Sequence, residues 1–175
     1  MSDIKNVLLI EDNENDLDIM KHYITKAFPS FVFVVANCKA EFEEKFDWLS
    51  PDLVLSDFDL PDGNGLEILL SVKKRIDVPF IFVSGTLNDT SKLGDAILEG
   101  ANGYVLKENI STLPACINRV LGKYDAIKVN KQIKENALSS LRLNNQKAIK
   151  LLEDKSDHHK IKEILTKSES YLNDL

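Results

Sequence analysis

Cysteine, proline, glycine and tryptophan are all scarce: the 175 residues hold two Cys, five Pro, seven Gly and one Trp. Cys38 and Cys116 are too far apart for a metal-ligand spacing and too few for a disulfide framework. A reducing cytoplasm is therefore the expected compartment, with both thiols as small core hydrophobes. No apolar run approaches the roughly 18 residues a membrane-spanning helix needs. The start, MSDIKN, lacks the basic and apolar blocks of a secretory leader. An excess of basic charge is missing too. Lys+Arg number 22 against 28 Asp+Glu, a net charge of −6. That balance argues against a broad nucleic-acid surface or an anionic-membrane surface. With 43% apolar and 29% charged residues the composition is that of a globular chain. The length suits one domain with a modest addition.

Against these absences stands a rhythm. Five short apolar runs recur: Val7–Ile10, Phe31–Ala36, Leu53–Leu55, Phe80–Val83 and Tyr104–Leu106. Each is continuous rather than alternating, as expected of strands buried on both faces of a parallel sheet. Helical spacing fills the gaps. Leu66, Leu69, Leu70 and Val72 mark one helix, and Lys73, Lys74 and Arg75 sit where they would complement its negative end. Leu113, Ile117, Val120 and Leu121 mark another, with Ser111 as an expected N-cap. The segment Asn88–Glu99 carries Gly94 and a polar first turn, so its intrinsic helicity is low. The reading is an α/β fold, a doubly wound five-stranded parallel sheet in the flavodoxin-like order 2-1-3-4-5.

Residues 123–175 contain no Gly, Pro, Phe or Trp. That composition builds helices rather than a second mixed domain. Two are expected, about Asp125–Glu153 and Asp157–Asn173, with a break within Glu153–His159. The domain division is thus 1–122 and 123–175, with Gly122 ending the periodic core. Charge divides along the same line. Residues 1–122 hold 11 Lys+Arg against 20 Asp+Glu, net −9, whereas residues 123–175 hold 11 against 8, net +3.

Ligands of an open parallel sheet bind beyond the carboxyl ends of its strands. Strand 1 ends in Glu11-Asp12, strand 3 in Ser56-Asp57, strand 4 in Ser84-Gly85 and strand 5 in Lys107. In the order 2-1-3-4-5 these four ends are neighbours. They bring three carboxylates, a hydroxyl and an ammonium to one place. Clustered carboxylates repel one another and call for a cation. Oxygen donors on a shallow rim suit Mg²⁺. A carboxylate can also attack phosphorus, with surrounding positive charge easing the transfer.

The motifs VLLIEDNE, PDLVLSDFDLPDGNGLEIL, VPFIFVSGT and GANGYVLK stand in order and at family-like spacing. On them, residues 4–122 resemble a response-regulator receiver domain of two-component signalling, CheY-like in kind. The resemblance implies that Asp57 is the phospho-acceptor. It implies Mg²⁺ on Glu11, Asp12, Asp57 and the main-chain carbonyl of Asp59. It makes Ser84 the hydroxyl that moves onto the phosphate, Lys107 its pairing lysine and Tyr104 the aromatic switch. Pro61 and Gly65 match the turn after the acceptor. It also implies a donor, a histidine kinase or histidine phosphotransfer protein, and a downstream protein partner. The chain would be no turnover enzyme, though it would assist its own phosphorylation and slow dephosphorylation.

Three positions depart from the family pattern. Glu108 stands where a proline usually sets a cis peptide, Asn102-Gly103 replaces acidic residues before strand 5, and Gly85 fills the small-residue position after Ser84. Two alternatives are weighed. Asp57-Phe58-Asp59 also fits the D-x-D nucleophile of haloacid-dehalogenase-like phosphatases, but here it follows the third strand rather than the first. The chain could instead be the receiver end of a longer sensor or hybrid kinase. His158 and His159 lack the acidic residue and downstream proline of a kinase phospho-acceptor. In the tail, Ile127, Ile133, Ala137, Leu141, Ala148 and Leu152 form a loose stripe. Ile161, Ile164, Leu165, Leu172 and Leu175 offer a second one. A hairpin, a homodimer or docking on another protein fits, and self-association through the tail is preferred. DNA binding is not expected of it.

Overall fold

The structure is a computed structural model that describes residues 5–46, 48–85, 90–153 and 158–173. It divides into two compact units, Met1–Gly122 and Lys123–Leu175. In the first, strands β1 (Lys5–Ile10), β2 (Phe31–Ala36), β3 (Leu53–Ser56), β4 (Phe80–Ser84) and β5 (Gly103–Leu106) form one sheet. All pairings are parallel, in the order β2-β1-β3-β4-β5. This is the expected doubly wound order. The helices are α1 (Glu14–Ala27), α2 (Lys39–Phe46), α3 (Gly65–Arg75), α4 (Thr90–Leu98) and α5 (Leu113–Glu153).

The unbroken apolar runs have the expected cause. Val7 and Leu9 of β1, with Leu53, Leu55, Ile81, Val83 and Val105, pack against Leu17, Met20 and Ile24 of α1 and Leu113, Ile117 and Val120 of α5. Leu8 and Ile10, with Val54, Phe80 and Phe82, pack on the other face against Phe42 and Phe46 of α2 and Ile68, Leu69 and Val72 of α3. Period-two alternation sends neighbouring residues to opposite faces, and both faces are covered. Cys38 and Cys116 are half-buried rather than fully buried, and both thiols are free.

Short links position the strand ends. Asn13 caps α1, its Oδ1 accepting from the amides of Asn15 (2.9 Å) and Asp16 (3.3 Å). A two-residue antiparallel ladder, Asp59–Leu60 with Gly63–Asn64, leads from β3 into α3 around Pro61-Asp62. The Asp62 carboxylate reaches α2, accepting from the amides of Lys39 (2.7 Å) and Ala40 (2.8 Å), and those bonds hold its carboxyl below the usual range. Gly65 is required by a close approach. A Cβ there would stand 2.3 Å from the Asp57 carbonyl oxygen and 2.7 Å from the Phe82 ring. Of the basic trio ending α3, Arg75 pairs with Glu43 of α2 and covers the Phe46 ring.

Two sequence expectations need correction. The helix after β5 does not start at a Ser111 cap. Residues Lys107–Thr112 form a 3-10 turn in which Thr112 Oγ1 donates to the Asn109 carbonyl (2.8 Å), and α5 begins at Leu113. Nor does Gly122 end that helix: α5 is continuous to Glu153, so no separate helix starts at Asp125. A single glycine costs a helix only about 1 kcal/mol relative to alanine, and good helix formers follow it. The only glycine with positive φ is Gly100, among the described residues. No described peptide bond is cis, that after Lys107 included.

The second unit contains the remainder of α5 and α6 (His158–Asn173). Ala148 is buried and Ala137, Leu141, Ile161 and Ile164 are half-buried. Ile127 and Ile133 of the expected stripe are exposed, as is Leu165. The middle of the expected break, residues 154–157, lies outside the described residues, as do Leu175 and the side chains of Leu152, His158, His159 and Leu172.

Candidate functional site

Each strand of the sheet's centre hands one polar side chain to its carboxyl end. The amide of Glu11, the residue after β1, donates to the Ala36 carbonyl at the end of β2 (3.1 Å). That of Asp57, the residue after β3, donates to the Ile10 carbonyl at the end of β1 (2.8 Å). Backbone bonds therefore fix both carboxylates before any side chain is considered. Ser84 closes β4, and Lys107 follows β5.

Glu11 and Asp57 are buried and Asp12 is exposed. These three can each offer a carboxylate oxygen, all within 4.8 Å of one another. The Lys107 ammonium lies among them, donating to Asp57 Oδ2 (2.7 Å) and Glu11 Oε1 (2.9 Å). Its third partner is Asp16 Oδ2, at 2.8 Å. Asp57 Oδ1 faces the backbone instead, accepting from the amides of Phe58 (2.5 Å) and Asp59 (3.3 Å).

The charges shift one another. Burial pushes the Glu11 carboxyl up to about 7; the Lys107 hydrogen bond opposes this and the nearby Asp57 charge adds to it. Burial by itself pulls the Lys107 ammonium down. Its bonds to Asp16, Asp57 and Glu11 outweigh that and raise it above the usual lysine range.

The donor set suits a hard divalent cation. It is all oxygen, one member is open to water, and Glu11 Oε2 is buried without a hydrogen bond among the described residues, although it lies 2.8 Å from Lys107 Nζ. Ser84 Oγ is likewise buried with no hydrogen-bond partner among the described residues. Over it, Gly85 leaves room: a Cβ there would meet only Lys107 Cδ, at 3.7 Å. Tyr104 is half-buried against the α2–α3 face of the core. The Asp59 side chain is exposed. The arrangement can hold a cation and present a fixed carboxylate oxygen, flanked by an ammonium, to an electrophile.

Asp16 is the member that sequence reasoning missed. It sits at no strand end. Its signal is positional: it is the third residue after the α1 cap, five after Glu11.

Comparison with known proteins bears on the same region. Residues 7–118 match the family model described as the response regulator receiver domain. The chemotaxis protein CheY of Thermotoga maritima is 28% identical over 103 residues, covering 59% of this chain and 85% of that protein. The transcriptional regulatory protein KdpE of Staphylococcus aureus is 28% identical over 112 residues, 63% of this chain and 47% of that protein. The chain spans 30% to 47% of the length of the transcriptional regulatory proteins YdfI and YcbL of Bacillus subtilis and KdpE. A crystal structure of a CheY-like receiver domain protein from Methanospirillum hungatei is similar with a TM-score of 0.63 and 25% identity. It covers 71% of this chain and 98% of that one.

Proposed function

The chain belongs to the response regulator receiver domain family, and on that premise we propose that Asp57 accepts a phosphoryl group from a phosphohistidine of a histidine kinase or histidine phosphotransfer protein. An Asp57 carboxylate oxygen forms the new P–O bond as the P–N bond of the donor breaks, and the electron pair leaves on the imidazole nitrogen. The observation that carries this reading is the three-way clamp on Asp57. Two amides hold Oδ1 and the Lys107 ammonium holds Oδ2, so the nucleophile is oriented before a cation or donor arrives. Glu11, Asp12, Asp57 and the main-chain carbonyl of Asp59 are the groups that would hold Mg²⁺. When bound, it supplies positive charge to the oxygens of the transferring group. Lys107 supplies the other positive charge.

The buried Ser84 hydroxyl, without a hydrogen-bond partner among the described residues, is a donor waiting for an acceptor. Its bond to the new phosphate, with Tyr104 filling the vacated space, biases the surface of α4, β5 and the first turns of α5. The output is contact with a downstream protein, so the domain is a signalling module. It takes up one phosphoryl group and loses it slowly. No observation favours the phosphatase alternative. No helix among the described residues is long and apolar enough to cross a membrane, and the cytoplasm remains the proposed location.

Acetyl phosphate with Mg²⁺, followed by intact-mass measurement, tests the acceptor. The wild-type chain gains one phosphoryl group and Asp57→Asn gains none. Equal rates in both proteins overturn the assignment. Self-association of the second unit is part of the proposal, supported by the exposed Ile127, Val129 and Ile133. A light-scattering mass equal to the monomer across a wide concentration range overturns it.

A further inference from the structure

We propose that Asp16 is a positioning residue: it tethers the Lys107 ammonium and thereby frees Glu11 and Asp57 to bind a divalent cation. The inference rests on the metal site proposed above.

Lys107 Nζ has three protons and three carboxylate partners, at 2.7 Å (Asp57), 2.8 Å (Asp16) and 2.9 Å (Glu11). Two of those partners belong to the oxygen cluster suited to a cation, and Asp16 does not. A cation entering that cluster must displace the ammonium from Glu11 and from its share of Asp57. The lysine side chain is only 18% exposed, so water cannot readily replace what the ammonium gives up. Asp16, with a side chain 31% exposed and its backbone fixed in the first turn of α1, keeps the ammonium paired throughout. Without it, the ammonium has no partner outside the cluster. It then stays on Glu11 and Asp57 and competes for the cation's ligands.

The ordinary explanation for an aspartate three residues into a helix is a capping box, in which its carboxylate bonds the amide of the cap residue. That does not operate here. The Asn13 amide points to Glu11 Oε1 (3.3 Å), and the Asp16 carboxylate contacts Lys107 instead.

Calorimetric titration of the full chain with Mg²⁺ tests the tether in a double-mutant cycle. Asp16→Asn weakens Mg²⁺ binding about tenfold, the range seen for residues that orient metal ligands, and Asp16→Glu restores most of it. In a Lys107→Met background there is no ammonium to hold, and Asp16→Asn then changes the affinity by about twofold or less, the residue of a screened charge. Equal losses in both backgrounds mean that Asp16 acts only as a nearby charge, which overturns the tether. No loss in either background overturns it as well. A wild-type chain that binds no Mg²⁺ overturns the metal site itself, which separates that failure from the failure of the tether. Matching circular dichroism of the five proteins shows that fold loss is not what is read.

Discussion

Asn102 and Phe80 exchange two hydrogen bonds: the Phe80 amide donates to Asn102 Oδ1 (2.8 Å), and the Asn102 amide donates to the Phe80 carbonyl (2.8 Å). The pair fixes where β5 begins alongside β4, and with it where Lys107 emerges four residues later. The asparagine that departs from the family's acidic pattern thus serves register. Asn102→Ala leaves the amide of the buried Phe80 without its acceptor and costs about 1–3 kcal/mol. Asn102→Asp keeps the acceptor and stays close to wild type. Urea unfolding midpoints of the three proteins check this.

Gly65 is where a single methyl group does most harm to the site. Its Cβ would overlap the Asp57 carbonyl oxygen and the Phe82 ring, both held by the sheet. Gly65→Ala is expected to cost about 1–3 kcal/mol by overpacking. It also moves Asp57, so its phosphorylation by acetyl phosphate slows. A variant of wild-type stability and rate contradicts the close approach.

Burial raises the Glu11 carboxyl to about 7 from an ordinary 4.5. Between those values the folded chain holds a proton that the unfolded chain has released. Its contribution to stability is therefore full below pH 4.5 and lost as pH rises through 7. In EDTA, the melting temperature of the wild type falls relative to Glu11→Gln between pH 5 and pH 7.5. Mg²⁺ binding must expel the same proton, so Mg²⁺ affinity rises across that interval in the wild type. In Glu11→Gln it is weaker and nearly flat.

Gly122 lies inside a continuous helix with nothing within 4 Å of an added Cβ. Gly122→Ala should stabilise the chain by about 0.5–1 kcal/mol. Had Gly122 ended the helix in a left-handed conformation, the same change would destabilise it, so a thermal melt gives the sign.

The sheet was legible because its three central strands, β1, β3 and β4, are buried on both sides. Val7–Ile10 and Phe80–Val83 read as unbroken apolar runs, and the polar residues one or two places after four of the five runs named the corners of the site. Glu11, Asp57 and Lys107 were found that way and do converge. Asp16 was not, because its place depends on the direction in which α1 leaves Asn13. Helix direction is tertiary information, and the local pattern gives only the position of Asp16 after the cap. The same holds for Asp62, which reads as a turn residue yet caps a helix 22 positions earlier. The expected helix start at Asp125 failed for a different reason. A lone glycine costs a helix only about 1 kcal/mol relative to alanine, so α5 runs on through Gly122.

The stretch from Asp57 to Gly65 is pinned at its start, middle and end. The Asp57 amide is bound to β1, the Asp62 carboxylate to the first amides of α2, and the Gly65 amide to the Phe58 carbonyl (2.8 Å). Such a segment has no slack. Away from Asp57, Asp62 and Gly65 it can exchange one exposed side chain for another, but an inserted or deleted residue would pull the acceptor out of place at one end or uncap α2 in the middle. Length, as much as the identity of its three pinned residues, is what this loop cannot vary.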